Sequence, residues 1–266
     1  MISLAAAVIL GIVEGLTEFL PVSSTGHLIL AGYLLDFKGP KAATFEIVIQ
    51  MGAILSVVVI YRERFRGLLR TDPARRFSGW RGLLLLAATS APAALLGVLI
   101  HHQIKTHLFT PLAVAGALAV GAVAILAIEA RAPAPRITSI DDLNFKQALG
   151  IGLFQCFALW PGFSRSAATI MGAMILGAGR RLAAEYSFIA AVPLLLAAGC
   201  YELAGSWGLL SAGDLLFLFV GFAVSFASAW LAVKGFIHLL GRTTLRPFAW
   251  YRLALVPLIL IFWPKD

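Results

Sequence analysis

Glu14-Gly15-Leu16-Thr17-Glu18-Phe19-Leu20-Pro21-Val22-Ser23-Ser24-Thr25-Gly26-His27 decides how this chain is read. Two carboxylates four residues apart sit one above the other on a helix face. They run into a polar segment whose proline and glycine interrupt that helix. Apolar sequence flanks the string on both sides. A charge at bilayer depth costs at least ~2.5–3.5 kcal/mol, so it faces a protein interior or a wet cavity and marks a functional site. Glu46, Glu185 and Arg165 are charges of the same kind in other apolar stretches.

Composition makes lipid the relevant solvent. Of 266 residues, 60% are hydrophobic and only 13% charged, too few charges to clothe a soluble domain of this length. Six segments, 42–61, 82–100, 111–129, 182–201, 215–233 and 248–263, are long enough to cross a ~30 Å hydrocarbon core. Between the first two lies Arg62 to Arg81, with seven arginines against Glu63 and Asp72, a cytoplasmic loop by the positive-inside rule. The later loops alternate as that placement requires. Residues 101–110 carry Lys105 alone and 202–214 carry no Lys or Arg, whereas 130–147 hold Arg131, Arg136 and Lys146, and 234–247 hold Lys234, Arg242 and Arg246. The net charge of +8 therefore belongs to topology, with anionic lipid headgroups as partners and no nucleic acid. The amino-terminal stretch lacks a basic lead and contains two glutamates, which argues against a cleaved signal peptide. Cys156 and Cys200 lie in apolar runs and read as packing residues.

Residues 1–34 and 145–178 do not read as simple spans, because each is apolar on both sides of a polar Pro/Gly/Ser break. Lys146 and Arg180-Arg181 put both ends of the second segment inside, and the first, by alternation, enters and leaves from outside. Two re-entrant hairpins from opposite faces then meet tip to tip, with the irregular backbone covered by protein or a watery cavity. Gly11-Ile12-Val13-Glu14 resembles Gly152-Leu153-Phe154-Gln155, Pro21 with Ser24 matches Pro161 with Ser164, and Glu46 matches Glu185. The expected fold is an all-α polytopic membrane protein of six transmembrane helices plus two re-entrant hairpins. It forms two inverted-topology repeats, 1–131 and 145–266, joined by a cytoplasmic linker at 132–144, with both termini external. Broken helices at matching positions of inverted halves point to a central site.

The second tip, Pro161-Gly162-Phe163-Ser164-Arg165-Ser166-Ala167-Ala168-Thr169, offers a guanidinium fork matched to phosphate oxygens beside hydroxyl and backbone donors at a helix start. Ser23, Ser24, Thr25 and His27 are analogous in the first tip. Together they describe a phosphate pocket below the membrane surface, with Arg165, Ser23, Thr25, Ser164, Ser166 and Thr169 as its candidate contacts. Blander readings weigh more heavily elsewhere. Ser23, Ser164 and Ser166 also suit the satisfaction of broken-helix backbone, and His101, His102 and His107 sit in a short external loop and read as a solvated face. Glu46 and Glu185 divide evenly between function and packing. The Gly/Ala run over 112–124 suits close helix packing and leaves room for a homodimer.

The two quoted strings resemble the bacterial undecaprenyl-diphosphate phosphatase family, also called bacitracin-resistance proteins, and the similarity covers essentially the whole chain. Phe163 and Ala167 stand where other small or polar residues are common in that family. The resemblance implies an enzyme of the inner membrane, open to the outer face, that hydrolyses a C55 polyprenyl diphosphate and recycles the carrier for peptidoglycan and other envelope polymers. It also implies a divalent cation. Mg²⁺ or Ca²⁺ on Glu14, Glu18 and Glu46 would offset the negative charge that otherwise repels a diphosphate, with a protonated glutamate as the competing solution. Catalytic roles fall to Ser24 as nucleophile, Glu18 or His27 as its base, and Arg165 as phosphoryl clamp. His27 as nucleophile and direct attack by water remain open beside this. A polyprenyl-phosphate transporter or flippase is the alternative function, since inverted repeats with broken helices also build transporters.

Overall fold

The computed structural model describes residues 3–72, 74–131, 133–206, 208 and 211–263; the extreme ends of the expected repeats and Ala132 of the linker lie outside these. Helix α1 (Leu4–Thr17) begins on a Ser3 cap whose hydroxyl accepts from the Ala6 N–H. It and α2 (Ser24–Leu34) form the arms of the first hairpin. At 14 and 11 residues they reach ~21 and ~17 Å, too short to cross. The second hairpin repeats the plan. Helix α7 (Phe145–Gln155) starts on an Asn144–Gln147 capping box, and α8 (Arg165–Ile175) returns.

Five helices are long and apolar enough to span: α3 (Pro40–Ile60), α5 (Gly79–Gln103, continued to Leu108 by a π-helical turn), α6 (Pro111–Arg131), α9 (Arg180–Ser206) and α10 (Leu215–Leu240). These correspond to five of the six expected spans. The sixth, expected at 248–263, is α11 (Arg246–Phe262), 17 residues long with Arg252 fully buried in its middle. Pro40 and Pro111 open their helices, where a missing N–H is harmless. The short α4 (Arg62–Leu68) lies in the basic loop. Among the described residues there is no β-strand, only isolated bridges at Asp72–Arg75 and Ile137–Ala178.

Several of the contacts between helices come in matched pairs. Helix α1 packs on α10, and α7 on α5; α3 meets α9, and α6 meets α11; α8 touches α6 as α2 touches α11. Each hairpin is thus seated on a helix of the opposite half. The seats are close because glycine permits it. A Cβ on Gly15 would fall 2.5 Å from the Ser225 carbonyl oxygen, and one on Gly52 2.3 Å from that of Phe222. In the Gly/Ala run of α6, Gly121 makes room for the Arg252 guanidinium, so that residue serves internal packing. Cys156 and Cys200 are both free.

On the face bearing the basic loop, Asp141 of the linker holds that loop down. Its carboxylate accepts from Arg64 Nη1 at 3.0 Å and from the Phe77 backbone N–H at 2.7 Å, while Arg81 donates to the Leu143 carbonyl. Burial alone would raise this carboxyl's pKa, but the Phe77 N–H and the Arg64 guanidinium together hold it below its ordinary value.

Candidate active site

Both hairpin tips end in the same backbone device. Ser23 (φ 72°) and Ser164 (φ 76°) lie in the left-handed region that non-glycine residues avoid, and each caps the helix that follows. Their hydroxyls accept from the backbone N–H three residues on, at Gly26 and Ala167. The backbone therefore pairs Ser164 with Ser23, one residue from the Ser24 match expected. By this register Ser24 and Arg165 occupy the same position, the first residue of the returning helix. Strain at such a turn persists only where the surroundings over-determine it.

The tips meet. Ser166 donates to the Leu20 carbonyl at 2.7 Å, and Arg165 Nη2 donates to Glu18 Oε1 at 3.1 Å. The other Glu18 oxygen accepts from the Ser24 hydroxyl at 2.6 Å. A hydroxyl, a carboxylate and a guanidinium thus form one line, and the side chains of Arg165 and Glu18 are only 9% and 6% exposed. Arg165 also donates through Nη1 to Ser187 and lies 5.3 Å from the centre of the Phe19 ring. Its Nε–H is buried without a partner among the described residues.

His27 takes no part in that line. Its Nδ1 meets the Ser23 carbonyl oxygen at 2.7 Å and its Nε2 meets the Tyr251 hydroxyl at 2.6 Å. No hydrogen bond joins it to Ser24, so of the two candidate bases it is Glu18 that lies in hydrogen-bonding reach of that hydroxyl. Thr169 is fully buried, its hydroxyl engaged with the Arg165 and Ser166 carbonyls and with Ser187. Thr169 therefore braces Arg165 and Ser166 ties the second tip to the first, whereas Ser24 and Thr25 at the head of α2 are partly open. Glu185 pairs with Arg181 at the start of α9 and lines a cavity of about 550 Å³ with Pro135 and Arg180, apart from the tips.

Glu14 is 1% exposed, and among the described residues neither of its oxygens has a partner. A bare carboxyl at that depth calls for a proton or a cation. Among the described residues, however, no three or more His, Cys, Asp or Glu side chains form a group that could hold a metal ion. Glu14, Glu18 and Glu46 do not make a preassembled cage. The hard oxygen donors still suit Mg²⁺, which is commonly held by one or two carboxylates together with substrate phosphates.

The sequence reading missed Arg252. Among the described residues it has no carboxylate partner; instead it spends all five N–H donors on carbonyl oxygens. Nε donates to Leu118, Nη1 to Pro21 and Phe163, and Nη2 to Ala117 and Gly162, at 2.8 to 3.3 Å. Both tips and α6 are thereby tied to one side chain. A lone arginine in the middle of an apolar span was the available signal, the same one that singles out Arg165. Ser187 and Tyr251 carry no such mark.

Fold and site together define a polytopic helical membrane protein with an enclosed hydroxyl–carboxylate–guanidinium site built where two broken helices meet. The family described as bacitracin resistance protein BacA matches residues 7–258, and the chain belongs to that family. A protein named undecaprenyl-diphosphatase from Oleidesulfovibrio alaskensis is 62% identical over 264 residues, 99% of this chain and 100% of the relative. One of the same name from Maridesulfovibrio salexigens is 64% identical over 99% of this chain and 100% of its own length. Another, from Lawsonia intracellularis, is 52% identical over 95% of each chain.

Proposed function

We propose that this protein is an undecaprenyl-diphosphate phosphatase in which Ser24 attacks the terminal phosphorus. The observation that carries the assignment of roles is the continuous line Ser24–Glu18–Arg165. As the Ser24 oxygen closes on phosphorus, its proton passes to Glu18. The neutral carboxyl formed no longer pairs with Arg165, whose charge becomes free for the equatorial oxygens of the transferring group. Proton transfer and phosphoryl clamping are thus one event. The bond to the bridging oxygen breaks and undecaprenyl phosphate departs with its electron pair, taking up the proton that Glu18 holds. Glu18, again a carboxylate, then takes a proton from the water that attacks the phosphoserine; the bond from phosphorus to the Ser24 oxygen breaks, Glu18 returns the proton to that oxygen, and inorganic phosphate leaves. The amino-terminal end of α2 points its free N–H groups toward this anion.

A divalent cation bound by Glu14 and by diphosphate oxygens would supply Lewis-acid shielding of the phosphate charge. The matched helix contacts and matched serine caps support two inverted repeats joined at the linker. The arginine-rich 62–81 loop supports a cytoplasmic place for that face, in contact with anionic lipid, and hence a site open to the outer side of the inner membrane.

The test is phosphate release from farnesyl or undecaprenyl diphosphate by purified protein in detergent, which abolishes vectorial transport but leaves hydrolysis intact. Ser24→Ala, Glu18→Ala and Arg165→Ala are expected to lose nearly all turnover while remaining folded. Phosphate trapped on His27, or normal turnover in Glu18→Ala, would overturn the assignment.

A further inference from the structure

Tyr251 reaches across the chain to His27 with a 2.6 Å hydrogen bond, and the two rings stack with centroids 5.5 Å apart and planes 8° from parallel. The direction of that bond follows from the other side of the imidazole. The Ser23 carbonyl 2.7 Å from Nδ1 can only accept, so Nδ1 carries a proton. In the neutral ring Nε2 is then the acceptor, and the Tyr251 hydroxyl donates to it.

The chain of bonds ends at the nucleophile. Ser23 is the residue held at φ 72°, and Ser24 follows it directly. Its carbonyl is fixed by His27 and its hydroxyl accepts from the Gly26 N–H. The orientation of the Ser23–Ser24 peptide therefore depends on the tautomer and tilt of one imidazole. Without the phenol, Nε2 loses its donor and the ring is free to turn, which loosens the one side-chain donor on the Ser23 carbonyl among the described residues.

We propose that Tyr251 is a positioning residue of the reaction: its hydroxyl locks His27 as the Nδ1–H tautomer, which in turn holds the strained turn that aims Ser24. This rests on the reading of Ser24 as nucleophile. Helix α11 would then serve the site twice with consecutive residues, Arg252 gripping the tips and Tyr251 setting the turn.

Two measurements on the full-length protein in detergent test it. In Tyr251→Phe, which keeps the stacked ring and removes only the hydroxyl, kcat should fall about three- to tenfold, the worth of one ordinary hydrogen bond, with KM within about twofold of wild type. Imidazole ¹⁵N spectra of protein labelled at histidine, with His27→Gln assigning the signal, should show a single Nδ1–H tautomer in wild type and a mixture in Tyr251→Phe. A rise in KM at constant kcat would place Tyr251 on the substrate and refute the positioning role, as would an unchanged kcat or an unchanged tautomer. Should Ser24 not be the nucleophile, Ser24→Ala would keep its turnover whatever the histidine spectrum shows, so the two failures are separable.

Discussion

Replacing Arg252 by Met removes five hydrogen bonds from the centre of the molecule while keeping much of the side chain's length. The Ala117 and Leu118 carbonyls lie inside α6 and retain their helical partners. The Pro21, Gly162 and Phe163 carbonyls are at the tips, where the ladder is broken. Each buried acceptor left unpaired costs about 1–3 kcal/mol, so three amount to roughly 3–9 kcal/mol. Part is returned because Met no longer buries a charge, and partial hydration of the tips returns more. The expected net loss is about 3–5 kcal/mol, large against the total stability of an ordinary domain. Arg252→Lys keeps the charge and three donors in a different geometry, and should recover part of that stability and little of the turnover. Thermal unfolding in detergent and phosphate release, measured together, check both. An Arg252→Met protein with wild-type melting and wild-type turnover would refute the idea that this side chain holds the tips.

Three further outcomes follow from the packing and the charges. Gly52→Ala puts a methyl group 2.3 Å from a backbone oxygen of α10 and should destabilise by about 1–3 kcal/mol, whereas Gly67→Ala, with open space around it, should be neutral or slightly stabilising, as melting temperatures will show. Because the Asp141 carboxyl is held below its ordinary value in the fold, its contribution is present at neutral pH and is lost as pH falls below the usual aspartate range. Hydrogen exchange in the 62–81 loop should rise there, and Asp141→Asn should show the rise at neutral pH. Removing divalent cations with a chelator should lower turnover and Mg²⁺ restore it, with Glu14→Gln raising the Mg²⁺ concentration required; full activity in chelator would exclude the cation.

Most of the fold was legible because the bilayer enforces it. A run of apolar residues closed by arginines has few other solutions, and five of the expected spans coincide to within a residue with helices long enough to cross or lie inside them. The halves of the site were legible for the same reason: Glu18 and Arg165 are charges where charge is expensive, and the structure joins them at 3.1 Å. What the sequence concealed is a matter of geometry. Two adjacent serines look alike in any periodic pattern, and only the backbone torsion shows that Ser23 is the cap and Ser24 the first helical residue. Tyr251 looks like any tyrosine near a membrane surface, and its partner lies 224 positions away. Ser166 and Thr169 read as phosphate ligands from their neighbourhood, yet their hydroxyls are already committed to protein acceptors.

The seating of each hairpin on the other half sets the order of assembly during synthesis. The turn that carries Ser24 is made long before α10, the helix on which α1 rests, and before Arg252, the side chain that grips its tip. A ribosome-bound or prematurely terminated product would carry Ser24 without the framework that holds its turn. Under the proposed roles, competence would then wait until α11 is made, and a copy truncated before it would lie inert in the membrane.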